Sequence, residues 1–238
     1  MRAVRSAFRQ FLGSIWNDYM LLACLFSPIL MGLAFKIGVP ALEAFLCGYF
    51  SQTAILAPYY ILLDLLLSLM TPLMLCFAGA MVMLEELDDG TAKYLLVTPL
   101  GKAGYLCSRI GVVAVLSLLY NIIIMLIFSL SDISGYQIIL SAMLNSVISI
   151  IVAMLVTSFA RNKVEGMGLI KLSGFMIFGF LGAFFIHSPA GYLAGILPSF
   201  WIAKLVLDQD LFFLLPGILV SSAWIALLYN RFSSKVLS

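Results

Sequence analysis

Charge is what this sequence has least of. Asp, Glu, Lys and Arg together make up 10% of its 238 residues, and there is a single histidine. A soluble domain carries roughly 25% charged residues. With 63% hydrophobic residues and a mean hydropathy of +1.14, too few polar side chains remain to cover a water-facing surface. Water is excluded as the main solvent, and lipid is left. A net charge of +2 excludes a bulk electrostatic footprint for nucleic acid. The four cysteines, Cys24, Cys47, Cys76 and Cys107, stand singly with no CxxC or Cys/His spacing. Neither a metal site nor a disulfide framework is therefore expected. Internal repeats, low-complexity tracts and a second domain are also missing.

What is present is a series of long apolar runs. A membrane-spanning helix needs ~20 mostly apolar residues, because every backbone N–H and C=O in lipid must find its partner within the segment. Six runs qualify: Tyr19–Val39, Pro58–Leu84, Tyr105–Leu130, Tyr136–Phe159, Met167–His187 and Leu211–Asn230. The chain is thus expected to be all-α, a single polytopic membrane domain over 1–238. Between the third and fourth runs lies only the Ser/Asp/Gly turn at 131–135, which demands an antiparallel hairpin. Ala190–Leu207 is apolar enough to suggest a seventh span, but Pro198 and Ser199 interrupt it and Lys204 and Asp208 close it. Residues 188–210 are expected to form a short helical pair dipping into the outer interface, with Tyr192 and Trp201 as interfacial aromatics.

The basic residues set the orientation. With six spans and the N-terminus inside, ten of the thirteen Lys and Arg fall in or beside cytoplasmic segments: Arg2, Arg5, Arg9, Lys93, Lys102, Arg109, Arg161, Lys163, Arg231 and Lys235. A seventh span would put Arg231 and Lys235 outside, against the positive-inside rule. Both termini are accordingly expected in the cytoplasm. Within residues 1–18, Val4, Phe8, Phe11, Leu12, Ile15 and Trp16 share one helical face and the arginines fall largely on the other. This is the pattern of an amphipathic helix lying on an anionic membrane surface.

The polar interruption at 85–104 carries the most information. Glu85, Glu86, Asp88 and Asp89 close the second run, and Gly90 and Thr91 follow. Gly90 permits a sharp reversal, and Asp88 or Asp89 is placed to cap a new helix and complement its dipole. Pro99 then ends it. The result is a helix of about two turns over Thr91–Val97. Isolated helices this short are marginal, so it needs a surface to pack against, and Tyr94, Leu95 and Val97 offer apolar contacts.

An acidic end to the second span, a Gly-Thr pair, and then Leu95-Leu96-Val97-Thr98-Pro99 leading into the third span resembles the membrane subunit of ABC-2 type transporters. The likeness extends to the basic amphipathic N-terminal helix, the six spans and the apolar segment before the last span. Chain length, short outer loops and Leu197-Pro198-Ser199-Phe200-Trp201 are most similar to small bacterial drug-export permeases of the fluoroquinolone type. The resemblance implies that Thr91–Val97 is a coupling helix seated in a separate ATPase subunit. Its contact residues would be Glu85, Glu86, Asp88, Asp89, Gly90, Thr91, Tyr94, Leu95 and Val97. It also implies two ATPase copies and a second permease chain, in a homodimer or heterodimer. ATP and Mg would sit on the ATPase. In this chain, Gly101-Lys102 lacks the rest of a Walker A loop, and Leu172-Ser173-Gly174-Phe175, which begins like an ABC signature, lies inside an apolar span. No cofactor and no catalysis are expected of it.

Lys36 and Asp64 stand out because both fall in the outer parts of spans, where charges generally face the bundle and find partners. They sit near one depth and are candidates to pair, either as a structural ion pair or as part of a pathway. Lys171, near the inner end of the fifth span, is placed to snorkel to headgroups. His187 reads as an interfacial histidine, and Gly179, Gly182 and Ala183 give a small-residue packing face. Pro28, Thr71 and Pro72 predict kinks. The competing function is an ATPase-independent secondary transporter or channel, which needs ionisable groups at the midplane or paired broken helices. Apart from Asp64, the sequence offers none. Drug, peptide and lipid all remain open as cargo.

Overall fold

The computed structural model describes Gly13, Trp16 and residues 18–97, 101–186 and 188–236. The amphipathic helix expected over 1–18 therefore lies almost wholly outside the described residues, as do Pro99 and His187. Among the described residues all regular structure is helical. In chain order the helices are α1 (Tyr19–Phe50), α2 (Ala57–Asp88), the short α3 (Thr91–Val97), α4 (Gly104–Phe128), α5 (Gly135–Phe159), α6 (Lys163–Phe185), the short α7 (Pro198–Leu207) and α8 (Leu211–Val236). All but α3 and α7 are long and apolar enough to cross a membrane, which makes six spans.

α1 starts at Asp18, whose carboxylate accepts the N–H of Met20 at 2.9 Å. The sequence ends this span at Val39, but the helix continues to Phe50. A π-helical stretch, Ala34–Gly38, precedes Pro40 and absorbs the residue that lacks an N–H. At 1.5 Å per residue the whole of α1 is about 48 Å long, well beyond a hydrocarbon core of roughly 30 Å. Its second half, Val39–Phe50, buries no residue. Glu43 closes the connection to α2 by accepting the N–H groups of Ile55 (2.9 Å) and Leu56 (2.6 Å).

α2 and α5 form the centre of the bundle, with α1 and α4 against α2, and α7 and α8 against α5. The expected α4–α5 hairpin is present. Ser134 caps α5 in a capping box, with its backbone N–H donating to Gln137 Oε1 at 3.2 Å and its hydroxyl reaching the same oxygen at 2.7 Å. Inside the bundle, Ser68 Oγ on α2 accepts the amide N–H groups of Asn121 on α4 (3.2 Å) and Asn145 on α5 (2.8 Å). Cys76 Sγ donates to the Ser149 carbonyl at 2.6 Å. In lipid such bonds join helices that apolar contact alone does not sort.

The segment before the last span is a 3-10 stretch, Pro189–Ile196, followed by α7. α7 is less superficial than an interfacial helix: Phe200, Ile202, Ala203, Leu205 and Val206 are all buried, against α5, α6 and α8. Trp201 is half-buried, its indole N–H held by the Gly195 carbonyl at 2.8 Å, while Tyr192 is exposed. The small face of α6 makes this burial possible. A Cβ at Gly179 would strike Ser199 and the backbone of Phe200, and one at Gly182 would meet Ala194.

Candidate functional site

The last turn of α2 supplies Glu85, Glu86, Leu87 and Asp88. Asp89 ends it with its N–H on the Glu85 carbonyl, and Gly90 reverses the chain at φ +71°, a left-handed conformation that glycine adopts without steric cost. Thr91 opens α3, its hydroxyl donating back to the Glu86 carbonyl at 3.2 Å. Seven residues make a helix too short to persist alone. It is held by Ala92, Leu95 and Leu96, which pack with Met83, Tyr105, Ile151 and Phe232. The opposite face is open: Tyr94 is 74% and Val97 84% exposed.

Glu86 departs from the expectation of a partner-facing acid. It points inward at 8% exposure and meets Arg109 of α4, which is 1% exposed. Arg109 Nε lies 3.1 and 3.0 Å from the two carboxylate oxygens, and a terminal nitrogen lies 2.5 Å from Oε1. Tyr105 donates its hydroxyl to Oε2 at 3.0 Å, and its ring lies 5.8 Å from the guanidinium carbon. Arg109 is therefore a bundle residue rather than an interfacial one. It rides on a π-helical turn, Cys107–Gly111, the type of irregularity found at functional sites. The ion pair is buried directly beneath α3, and Tyr105 belongs to both the pair and the cluster that seats α3.

A second charged cluster ties this end of the bundle together. Lys163, at the start of α6, donates its ammonium to Glu85 (2.9 Å) and Asp18 (3.0 Å). Its backbone N–H donates to Asp88 Oδ2 at 3.1 Å. Asp88 thus serves the start of α6, in place of the expected cap on α3. The hydrogen bond from Lys163 is the largest influence on Asp18 and holds its carboxyl below the usual aspartate range. At the same end, Lys235 of α8 donates to the free carbonyls of Thr157 (2.7 Å) and Ala160 at the end of α5. The Arg231 guanidinium stacks 4.1 Å from the Phe159 ring.

Lys36 and Asp64 lie elsewhere and do not pair directly. Asp64 is fully buried, and its two oxygens accept the N–H groups of Leu130 (2.8 Å) and Ser131 (2.7 Å). Lys36 donates to the Ser129 carbonyl at 2.8 Å. Both charges converge on the turn after α4, where the free backbone groups at the helix end offer each a nearer partner than the other side chain.

The structure therefore brings Glu85, Glu86, Asp88, Gly90 and Thr91 into one anchored assembly, and leaves Asp89, Tyr94 and Val97 outward and Leu95 packed beneath. Lys36 and Asp64 belong to the opposite end. The residues missed from sequence are Arg109, Tyr105, Lys163 and Asp18. One signal was available: Tyr105 and Arg109 stand four apart on one helix, directly after an acid-ended one.

A family model described as "Fluoroquinolones export permease protein Rv2686c-like" matches residues 11–229. Two relatives, the fluoroquinolones export permease proteins MT2760 and Rv2686c, come from Mycobacterium tuberculosis strains CDC 1551 / Oshkosh and ATCC 25618 / H37Rv. Each is 25% identical over 250 residues, covering 98% of this chain and 95% of its own. No solved structure matches the chain significantly.

Proposed function

Because the chain belongs to the Rv2686c-like family of fluoroquinolones export permeases, we propose that it is the membrane subunit of an ATP-driven ABC exporter, working as a dimer with a separate ATPase. The observation that carries this reading is α3. It is a two-turn helix presented at the charged end of the bundle, with Tyr94 and Val97 bare and its inner face fixed above Glu86, Tyr105 and Arg109. A short helix with one seated and one bare face transmits a push rather than absorbing it.

In this mechanism two ATPase subunits bind ATP with Mg, close on each other and displace the α3 helices. The buried pair passes that displacement on. Glu86 moves with α2 and Arg109 with α4, because separating them would strand a charge in a dry site. Lys163 adds the starts of α1 and α6 to the same moving unit through Asp18, Glu85 and Asp88. The two permease chains then expose their inner surface alternately to either side of the cell membrane, with the charged end and both termini cytoplasmic, an orientation that the distribution of basic residues supports. The chain itself contributes no catalysis. The names of the relatives support a fluoroquinolone-like drug as cargo.

An ATPase-independent carrier is the alternative. It needs a titratable group free at depth, and Asp64 has both carboxylate oxygens engaged by backbone N–H groups. The test is purification of the tagged chain from its native membrane. An ATP-hydrolysing subunit in equal amount supports the exporter, and export in cells lacking every such subunit contradicts it.

A further inference from the structure

α1, α2 and α6 line an open cavity of about 290 Å³. That is near the lower end of small-molecule sites, which run roughly 300–1,000 Å³. Its walls are almost entirely apolar. Met70, Met74 and Phe77 of α2 form one side, and the 3-10 stretch of α6 that contains Gly174 forms the other. One charge stands among the lining residues, Lys171. No carboxylate pairs with it among the described residues. Lys171 lies eight residues into α6 from Lys163, about 12 Å along the helix. Lys171 is exposed at the rim of the cavity with no acid of its own, so its ammonium is open to an anion that enters there.

We propose that this cavity binds the cargo as a flat apolar molecule bearing one carboxylate, with Lys171 taking the carboxylate and Phe77, Met70 and Met74 taking the ring system. The proposal rests on the drug-export reading and adds to it the feature of the drug that is recognised. Methionine sulfurs adapt to aromatic outlines and contact ring edges favourably, and Phe77 offers a face for stacking. Lys171 supplies the directional element, because a charge-assisted bond to carboxylate is about twice as strong as a neutral one. The walls are also the irregular parts of their helices. Pro72 deprives α2 of the bond to the Ser68 carbonyl, in the turn that carries Met70, and Lys171–Phe175 is wound as 3-10 helix.

The test uses the purified full-length chain in phosphatidylcholine nanodiscs. A fluoroquinolone and its carboxyl methyl ester are titrated by their own fluorescence, with drug export from cells measured alongside. The wild type is expected to bind the acid about tenfold more tightly than the ester, the size of one charged hydrogen bond. Lys171→Gln is expected to lose that preference by weakening only the acid, Lys171→Arg to restore it, and Met74→Trp, which fills the cavity, to weaken both ligands. Lys171→Gln binding the acid as the wild type does, or weakening acid and ester equally, overturns the proposal. If export of the drug also continues unchanged in that variant, the drug-export reading stands and only the cavity assignment falls. A wild type that neither binds nor exports either compound overturns both. Retention of an anionic phospholipid that depends on Lys171, with drug binding indifferent to it, overturns the proposal in favour of a lipid headgroup.

Discussion

Arg109 on α4 grips Glu86 on α2 through two of its nitrogens, and Tyr105 completes the carboxylate's coordination one turn earlier on the same helix. Removing either charge leaves the other buried and alone, at a cost of about 3–5 kcal/mol. Glu86→Gln and Arg109→Met should each lower the melting temperature of the detergent-purified chain sharply. The double substitution should cost much less than the sum. Additive losses would mean that the two side chains act independently.

Asp64 should prove structural. Asparagine offers one acceptor oxygen where the carboxylate offers two, so Asp64→Asn leaves one of the Leu130 and Ser131 N–H groups unpaired and costs about 1–3 kcal/mol. Lys36→Met should cost less, because Lys36 is exposed and bonds a single carbonyl. Membrane abundance and export should fall in parallel for Asp64→Asn. Normal abundance with export abolished would instead mark Asp64 as a pathway residue.

The Asp18–Lys163 contact predicts a dependence on pH. The carboxyl of Asp18 titrates lower in the folded chain than in the unfolded one, chiefly because Lys163 donates to it. A depressed carboxylate contributes stability that is fully present above the unfolded value of about 3.9, and that is lost as pH falls through the folded value. Melting curves of wild type and Asp18→Asn should therefore be offset at neutral pH and converge on the acid side. A constant offset down to the lowest accessible pH would show that the contact carries no linkage. Asp18 is partly exposed, so moderate salt should also shrink the offset.

Gly179→Val should destabilise without touching any charge. Its side chain would collide with Ser199 and the Phe200 backbone, forcing α7 away from α6. Overpacking of this kind costs about 1–3 kcal/mol. Susceptibility of the 188–210 segment to protease from the outer side should rise. Wild-type resistance would mean that α7 is not wedged against α6.

The six spans and the Thr91–Val97 helix are legible in the sequence for a shared reason. Lipid forces each crossing segment to be a self-paired apolar run, and Gly90 marks a reversal after such a run with a new helix start behind it. What sequence does not reveal is direction. Glu85, Glu86, Asp88 and Asp89 look alike in a row, yet one turns inward to Arg109, two serve Lys163, and Asp89 stays in the open. Helical phase decides among them, and on the facing helix the π-helical turn that carries Arg109 shifts the phase of that partner in a way no periodicity records. Lys36 and Asp64 meet at one turn, on Ser129 and on Leu130 and Ser131. The backbone groups between them depend on where α4 stops. The overrun of α1 to Phe50 has the same character, since a π-helical stretch carries the helix past a proline.

Glu86→Lys would appear to test coupling, but its burial makes it a test of folding. The exposed pair Tyr94 and Val97 is the better handle, since neither belongs to the cluster that seats α3. The decisive measurement is ATP-dependent drug export by Tyr94→Glu/Val97→Glu, together with copurification of the ATPase subunit and the melting temperature of the permease. The account predicts an unchanged melting temperature, loss of the ATPase from the purified complex and export reduced to background. Export at the wild-type rate with the ATPase still bound would contradict it.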